Sequence, residues 1–599
     1  MKRCLATRMG MAKESRFFRY LVVAVISFWT LVSLAALAGM FKLWWERERQ
    51  SYFGKSITEQ RQQVMRVAGL PESFVDVYQE IDRVWPGNVG YTAQGDHNTL
   101  SYLKYLLIPR IPSGSSQYRI NEKGVFSPSE REQGSAANAL TQQGDGESSG
   151  NPLALLGGFV VFAGLALGAR TLQAFARLSF PEAFGLGIFF CMLLLLGSRL
   201  AFSTISAGCQ LLTILGVCGW LRYWTSRQRW EECSGPRRGL HDHLRAIRLS
   251  WAEGWKVLLL VIILGNIFWA LSMAVIVVPD DWDAWAIWAA KAKVLALGTG
   301  PLADVSYFGH ADYPLLWPAV WAYSGWWGGG WEELWSRGWG GVFLSLAIWE
   351  LSVIVQRMTG DGRYGLFSAA LFVSVPMVPL IASWSYAEAP FWLLVLCASG
   401  CLLLFDNSRQ TFALVAAALL AVAAMYTKNE GVLFAGGLAI WLLVLSGPGK
   451  VRRLAIFFAT VALCYLPWII WTRMVMEFGS HATAGFHMDM PTLTRAWGRV
   501  PAMYDAIFSM WSDIKQWNIV LWLGLLFLIP SGFVKKSRGW ILQVIVLAGG
   551  YLLIILFHEA EIYWQVGTSW NRLTVHFLPF LVIAMVGLWH EKCSSARGG

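Results

Sequence analysis

Runs of apolar residues long enough to cross a lipid bilayer recur along this chain, and they constrain its fold more than any other feature. A transmembrane helix needs about 20 mostly apolar residues, within a range of roughly 17–25. The chain has 599 residues, of which 55% are hydrophobic and 15% are charged, whereas soluble globular proteins carry roughly 25% charged residues. We therefore predict an all-α polytopic membrane protein with about 14 transmembrane helices. The predicted crossings are 20–41, 153–170, 184–200, 205–223, 256–278, 338–356, 364–383, 389–405, 411–427, 431–446, 454–472, 518–534, 540–557 and 573–589.

The basic residues predict how these helices are oriented. The formal net charge is +11, and the lysines and arginines lie in short clusters between apolar runs, as in cytoplasmic loops. The first run follows a basic segment, is long for a signal peptide and lacks a small-residue cleavage site, so we interpret it as an uncleaved anchor. The apolar stretch 314–330 is interpreted as juxtamembrane or re-entrant, because the basic clusters of the later loops then face the cytoplasm. Both termini are thus predicted to be cytoplasmic, in a bacterial-type inner or plasma membrane.

Composition divides the chain into five parts. Residues 1–41 are a cytoplasmic tail and anchor helix, 42–126 a small external α/β module, and 127–151 a polar stretch that we predict to be a disordered linker. Residues 152–255 form a three-helix membrane insert with a basic cytoplasmic loop, and 256–592 form the membrane core. The sequence has no Walker motif, which argues against an ATP-driven pump.

Three aspartates crowd the point where crossing 256–278 ends. Asp280, Asp281 and Asp283 lie on the external side in the predicted topology. The stretch DDWDAWAIWAAKAKVL is predicted to form a helix along the membrane surface, with its tryptophan rings on one face in the headgroup layer. Capping of this helix explains one carboxylate, that of Asp280 or Asp281, but it does not need all three. Asp283 is therefore a candidate catalytic residue.

Other ionisable residues abut apolar helices on the same predicted side. Such residues at membrane depth are costly and are often functional, although an acid–base pair can also merely satisfy itself. Acidic and basic groups on one face of the membrane are what a surface-facing active site requires. The ionisable residues are His310, Asp312, Glu388, Lys428, Glu430, Arg572 and His576, and the polar Asn429 lies between Lys428 and Glu430.

Residues 256–590 resemble the GT-C glycosyltransferases, polytopic membrane enzymes that include the protein O-mannosyltransferases and the lipid A aminoarabinose transferases. The resemblance rests on WDAWAIWAAKAKVLALGTG, DYPLL, WGGGWEELWSR and RLTVHFLPFL. Ala284 stands where the family has Glu, and Tyr313-Pro314 stands where it has Lys-Pro. The resemblance implies a GT-C-like core with external interfacial helices.

This resemblance also implies transfer of a sugar from a polyprenyl-phosphate carrier to an acceptor hydroxyl on the extracytoplasmic side. A carboxylate would act as general base, with Asp283 in the place of the catalytic aspartate, Asp281 as the alternative and Glu388 as the second acidic position. Cations would stabilise the leaving phosphate, and Lys428 and Arg572 are the leading candidates. The remaining candidates for binding the lipid phosphate or sugar are Glu430, His310, Asp312, Tyr313 and Lys291, with Lys293 as a weaker one.

We predict no cofactor and no obligatory metal, although Asp281, Asp283 and Glu388 could supply oxygen ligands to a divalent ion. The predicted partners are the polyprenyl-phosphate sugar donor, a lipid, glycan or protein acceptor, and membrane lipids, with no nucleic acid.

Three alternatives stay open. A transporter or flippase of lipid-linked sugars would place its charged groups near mid-membrane. A polymerase or ligase of surface glycans would use a long external loop rich in Arg and His, and loop 473–516 has both. A catalytically inactive scaffold would use residues 42–152 to bind partners.

Overall fold

Helices dominate the part of the chain that the computed structural model describes. That part comprises residues 26–42, 59–60, 91–93, 118–120, 126–128, 151–172, 177–202, 204–231, 254–277, 281–297, 310, 312–329, 331–445, 449–474, 490–558 and 560–598. Within it, eight helices are long and apolar enough to cross a membrane, and two further helices, bent by 69° at a short break, make a ninth span if they are counted together. The chain is therefore a helical, multi-pass membrane protein.

In chain order, helices α1 to α7 are Ile26–Lys42, Leu153–Arg170, Phe180–Phe202, Ser206–Glu231, Gly254–Ile276, Ala290–Leu297 and Leu316–Gly328. Helices α8 to α14 are Trp339–Thr359, Gly362–Val373, Met377–Ser383, Glu388–Ser408, Thr411–Met425, Gly431–Val444 and Lys450–Met474. Helices α15 to α20 are Met490–Trp511, Ile514–Trp517, Val520–Gly532, Arg538–Phe557, Ile562–Gln565 and Asn571–Gly598. The π-helices Ala284–Ala289 and Val566–Trp570 lead into α6 and α20. The 3-10 helices Trp335–Gly338 and Lys535–Ser537 lead into α8 and α18. Every predicted crossing overlaps one of these helices, or two at 364–383.

Helix α11 lies at the centre of the helical core. It packs against α12 and α8, and it also contacts α3 and α20. All residues from Glu388 to Leu402 are buried, as expected for a helix that is apolar all round. Glu388, the first residue of α11, therefore carries a carboxylate at the buried end of this helix.

Local signals explain the turn between α8 and α9. Helix α8 ends at Gly360, whose φ of 75° is the left-handed conformation that glycine adopts at low cost. Asp361 then caps α9 by accepting a hydrogen bond from the backbone N–H of Arg363. The two helices pack closely against each other after this turn.

The predicted three-helix insert packs tightly within itself. Helices α2 and α4 approach so closely that a Cβ atom on Gly168 would lie 2.5 Å from the Cα of Gly219. A Cβ atom on Gly219 would in turn lie 2.2 Å from the carbonyl oxygen of Gly164. Small residues allow such close helix packing in membranes.

A buried polar cluster joins the insert to the core. Arg357 of α8 donates two hydrogen bonds, of 2.6 and 3.0 Å, to the carboxylate of Glu182 in α3. The backbone N–H of Ser179 also donates to Glu182, at 2.5 Å. The Ser179 hydroxyl donates to Glu350 of α8 at 2.5 Å. Nothing in the sequence indicates these partners, because Arg357 and Glu182 are 175 positions apart.

Three short strands lie in the predicted external module. Tyr91–Ala93 (β1) pairs in parallel with Tyr118–Ile120 (β2), with Thr92 opposite Arg119. Strand β2 pairs antiparallel with Phe126–Pro128 (β3). Residues 59–60 are also described, as helix. Residues 127 and 128 of the predicted linker 127–151 belong to a strand. The rest of the module, residues 129–150 of that linker and the tail before residue 26 lie outside the described residues.

The helix predicted after the aspartates is present, but its predicted exposure is wrong. Trp285 and Trp288 are 3% and 1% exposed. Helix α6 packs under α7, and the Trp288 ring stacks on Tyr313 at 5.4 Å between centroids. The rings of Trp285 and Trp288 are therefore covered by protein and do not lie in the headgroup layer, whereas Trp282 is partly exposed.

Helix α7 occupies the ambiguous stretch 314–330. At its start, the backbone N–H of Leu316 donates to the carbonyl of Tyr426, at the end of α12. Beyond its end, Arg337 donates to Ser383 and Ser385, just before α11 begins. Since α11 and α12 are consecutive packed helices, the end of α12 and the start of α11 lie at the same end of the bundle. Helix α7 therefore leaves and returns to one end of the bundle.

Candidate active site

Two of the aspartates that follow α5, Asp281 and Asp283, meet the first turn of α20, and Asp280 lies outside the described residues. Asp283 immediately precedes the π-helix Ala284–Ala289, but its side chain makes no capping hydrogen bond to it. Instead, the guanidinium group of Arg572 donates to the Asp283 carboxylate. The two side chains are 19% and 21% exposed, so the ion pair is largely shielded from solvent. Asp283 thus balances the charge of an arginine and does not cap a helix.

Asp281 has its own partner, Tyr386. The Tyr386 hydroxyl donates to the Asp281 carboxylate, which also accepts from the backbone N–H of Asp283. The guanidinium carbon of Arg572 lies 5.2 Å from the centroid of the Tyr386 ring, within the range of a cation–π interaction. Asp281, Asp283, Tyr386 and Arg572 therefore form one compact set, named the outer group below.

The backbone before α11 fixes the position of Tyr386. Ser385 has a φ of 65°, a left-handed conformation that a residue with a Cβ atom rarely adopts. Its hydroxyl accepts a hydrogen bond of 2.8 Å from Arg337 Nε, and its carbonyl accepts one of 2.8 Å from the Trp317 indole. These hydrogen bonds hold Ser385 in its unfavourable backbone conformation, which would otherwise relax.

A second set of polar side chains lies deeper, next to the outer group. Lys428 Nζ lies 2.8 Å from Glu388 Oε1 and 3.4 Å from Glu430 Oε1. The side chains of Lys428 and Glu388 are 4% and 1% exposed, and that of Glu430 is 15% exposed. Glu388 also interacts electrostatically with Arg572, which connects the two sets.

Histidine 576 completes this deeper set. Its Nδ1 atom lies 3.0 Å from the Tyr551 hydroxyl, and both residues are fully buried. His576 is one helical turn after Arg572 on α20, and it interacts electrostatically with Arg572 and Lys428. Tyr551 interacts in the same way with Glu430 and Glu388. Glu388, Lys428, Glu430, Tyr551 and His576 are named the inner group below.

The segment before α7 closes one side of the site. Lys291 Nζ donates to the carbonyl oxygens of His310, at 2.5 Å, and Tyr313, at 3.2 Å. The rings of His310 and Tyr313 stack with centroids 4.8 Å apart. Asp312 accepts a hydrogen bond of 2.7 Å from Asn429, which lies between Lys428 and Glu430. This segment is thus tied both to α6 and to the inner group.

Burial shifts the pKa of three groups that lie outside the spanning helices. It raises the pKa of Asp281, since low-dielectric surroundings disfavour the charged carboxylate. The same desolvation lowers the pKa of Lys291 to about 7 and also lowers the pKa of His310. Asp281 is consequently a stronger base than a solvated aspartate, and Lys291 loses its proton readily.

Ten of the residues predicted for the site meet here. Asp283, Asp281 and Arg572 belong to the outer group, and Glu388, Lys428 and Glu430 belong to the inner group. His310, Asp312 and Tyr313 lie in the adjoining segment, to which Lys291 of α6 donates hydrogen bonds. The predicted site lacks Tyr386 and Tyr551, because nothing in the sequence distinguishes a site tyrosine from one that merely packs.

The site combines a carboxylate next to an arginine with a buried set of carboxylates around a lysine. Such an arrangement can bind an anion at the arginine, accept a proton at a carboxylate and hydrogen-bond a polyhydroxylated ligand. Among the described residues, no group of three or more His, Cys, Asp or Glu side chains is placed to hold a metal ion. Comparison of the chain with family models, curated proteins and solved structures finds no match.

Proposed function

We propose that this protein is a membrane glycosyltransferase of GT-C-like architecture. It moves a sugar from a polyprenyl-phosphate donor to an acceptor hydroxyl on the extracytoplasmic side, in the biosynthesis of cell-envelope glycans. Both termini are cytoplasmic, the chain crosses the membrane about 14 times, and the external module lies on the side of the active site. The observation that carries the proposal is the contact between Asp283 and Arg572, at the helix ends where the predicted site residues converge.

The reaction assigns a distinct task to each member of the outer group. Arg572 binds the phosphate of the donor, for which a guanidinium offers parallel hydrogen-bond donors. Asp283 accepts the proton of the acceptor hydroxyl as its oxygen forms a bond to the anomeric carbon of the sugar. The bond between the anomeric carbon and the phosphate oxygen breaks, and its electron pair leaves with the lipid phosphate. Asp281, held by Tyr386, is the alternative base.

The other predicted residues support binding. Glu388 is the second acidic position, and Lys428 and Glu430 lie beside it. Lys291 positions the segment that carries His310, Asp312 and Tyr313. The proposed reaction needs no cofactor and no obligatory metal ion.

Two observations favour this proposal over its rivals. The charged groups lie at helix ends, whereas a transporter or flippase would hold them near the middle of broken helices. A glycan polymerase or ligase would need free arginines in the predicted loop 473–516, of which Met490–Trp511 is instead helix α15. Arg499 of α15 donates to the backbone carbonyls of His558 and Ala560, which is a structural role.

The test is replacement of the proposed base. Asp283→Asn keeps the shape of the side chain and should lower transfer about 10²–10⁴-fold, the usual contribution of a general base. Mass spectrometry of envelope glycans and glycolipids would compare cells that express the wild type, D283N or no gene. Asp406→Asn is the matched control, because Asp406 lies on the surface in an ion pair with Arg409. Unchanged glycans in D283N cells would refute the assignment of Asp283. Accumulation of a lipid-linked sugar without a missing decoration would favour transport.

A further inference from the structure

The inner group contains three buried polar atoms that have no hydrogen-bond partner among the described residues. They are Glu388 Oε2, Glu430 Oε2 and His576 Nε2. Leaving a buried polar atom without a partner is destabilising, and native structures contain few such atoms. Three of them in one cluster therefore indicate a place where a ligand completes the hydrogen bonds.

Contacts and electrostatic interactions within the inner group bring together the side chains that carry these atoms. Lys428 Nζ contacts the Oε1 atoms of both glutamates, so one ammonium group uses one oxygen of each carboxylate and leaves the other oxygen available. His576 is held from its other side by Tyr551 at Nδ1. When the Tyr551 hydroxyl donates to Nδ1, the imidazole proton is on Nε2, and that atom is a donor. The partial exposure of Glu430 gives the cluster an opening.

The charges of the cluster select the chemistry of its ligand. Two carboxylates surround a single ammonium group, so an anion such as phosphate is repelled. The two carboxylate oxygens need donors, and His576 Nε2 needs an acceptor. A hydroxyl group is both a donor and an acceptor, and neighbouring hydroxyls on one ring present several such groups at once.

We propose that the inner group is the subsite for the sugar, in which Glu388, Glu430 and His576 bind its hydroxyl groups. This inference rests on the proposed function. It assigns the two parts of the lipid-linked sugar, the phosphate and the sugar ring, to different groups of residues. The lipid phosphate binds Arg572 in the outer group, and the sugar ring enters the inner group next to it. His576 is then a substrate-binding residue, oriented by Tyr551.

Binding measurements can test whether the lipid phosphate and the sugar bind separate groups of residues. The full chain is purified into lipid nanodiscs and titrated with a polyprenyl phosphate, and then with the same lipid carrying glucose, galactose or mannose. At least one sugar should tighten binding about 10- to 100-fold over the bare lipid phosphate, as expected for one or two hydrogen bonds to charged groups. His576→Phe and Glu430→Gln should abolish this gain, so that each variant binds the sugar-bearing lipid no more tightly than it binds the bare lipid phosphate. His590→Phe is the matched control, because His590 lies on the same helix beside Tyr364, away from the site.

The outcomes separate the two proposals. If the bare lipid phosphate and all three sugar derivatives bind the wild type equally, or if E430Q keeps the full gain, the sugar subsite is refuted while the lipid-phosphate site stands. If no polyprenyl phosphate binds the wild type, the proposed function fails together with the inference. E430Q decides the matter if H576F does not fold, since it preserves the volume of the side chain.

Discussion

Replacing Arg357 should destabilise the fold more than replacing its partner Glu182, because only the first change removes the cation that contacts two buried carboxylates. Arg357→Met removes both hydrogen bonds to Glu182 and a third, of 3.3 Å, to the carbonyl of Gly400. The carboxylates of Glu182 and Glu350, both fully buried, then lie together without that shared cation, and Arg170 remains as a cation that interacts electrostatically with Glu182. Removing one partner of a buried ion pair costs about 3–5 kcal/mol.

Glu182→Gln should have a smaller effect. The amide oxygen still accepts from Arg357, and Glu350 Oε1, at 3.9 Å from Arg357 NH1, remains as a counter-charge. The expected loss is about 1–2 kcal/mol, the value of a weakened charged hydrogen bond. With an unfolding entropy of about 2.1 cal/mol/K per residue over 599 residues, the thermal midpoint falls by about 2–4 °C for R357M and by about 1 °C for E182Q.

The assay is the fraction of purified, detergent-solubilised protein that stays monodisperse in size-exclusion chromatography after heating. Arg363→Gln is the matched control, since Arg363 forms an exposed ion pair with Asp361 and such pairs contribute about 0–1 kcal/mol. An equal or larger loss for E182Q than for R357M would refute the reasoning that Glu350 provides compensation.

Two further predictions concern Lys291 and Ser385, which help to position the candidate site. Lys291 has a pKa of about 7 in the folded chain against 10.5 for a solvated lysine, so between these values the unfolded chain binds the extra proton and folded-state stability rises with pH. The free energy of unfolding of the wild type should therefore rise relative to that of Lys291→Met by up to about 1.4 kcal/mol per pH unit. Thermal midpoints measured from pH 7 to 9 report this difference, and parallel curves for the two proteins would contradict it. Ser385→Ala keeps the left-handed φ and loses the bond to Arg337, whereas Ser385→Gly loses the same bond but relieves the strain. S385A should thus be less stable than S385G by about 1 kcal/mol, and the reverse order in a heating series would show that the backbone is not strained.

The positions of the site residues could be predicted from sequence because helix ends alternate between the two sides of a membrane. Counting crossings placed Asp283, Glu388, Lys428 and Arg572 on one side, and the helices bring them to one end of the bundle. The contact between Asp283 and Arg572 could not be predicted in the same way. Asp283 and Arg572 are 289 positions apart, and their contact depends on how α6 and α20 are placed by all the helices between them.

The tryptophans after Asp281 show where sequence periodicity fails. A spacing of three places Trp282, Trp285 and Trp288 on one face of a helix, whether that face meets lipid headgroups or another helix. The other positions are mostly alanine, which suits either environment. Helix α7 covers this face, and only its unusual return to the same end of the bundle makes that possible.

The leading cations of the candidate site already contact carboxylates. Arg572 contacts Asp283, and Lys428 contacts Glu388 and Glu430. In the proposed reaction, the lipid phosphate competes with Asp283 for Arg572, and loss of the contact between Asp283 and Arg572 frees the carboxylate to act as base. Asp283→Asn removes the competing charge, so the variant should bind polyprenyl phosphate about tenfold tighter while its transfer activity falls. A purely structural Asp283 predicts weaker binding along with lost activity, and a binding titration of D283N beside D281N distinguishes the two.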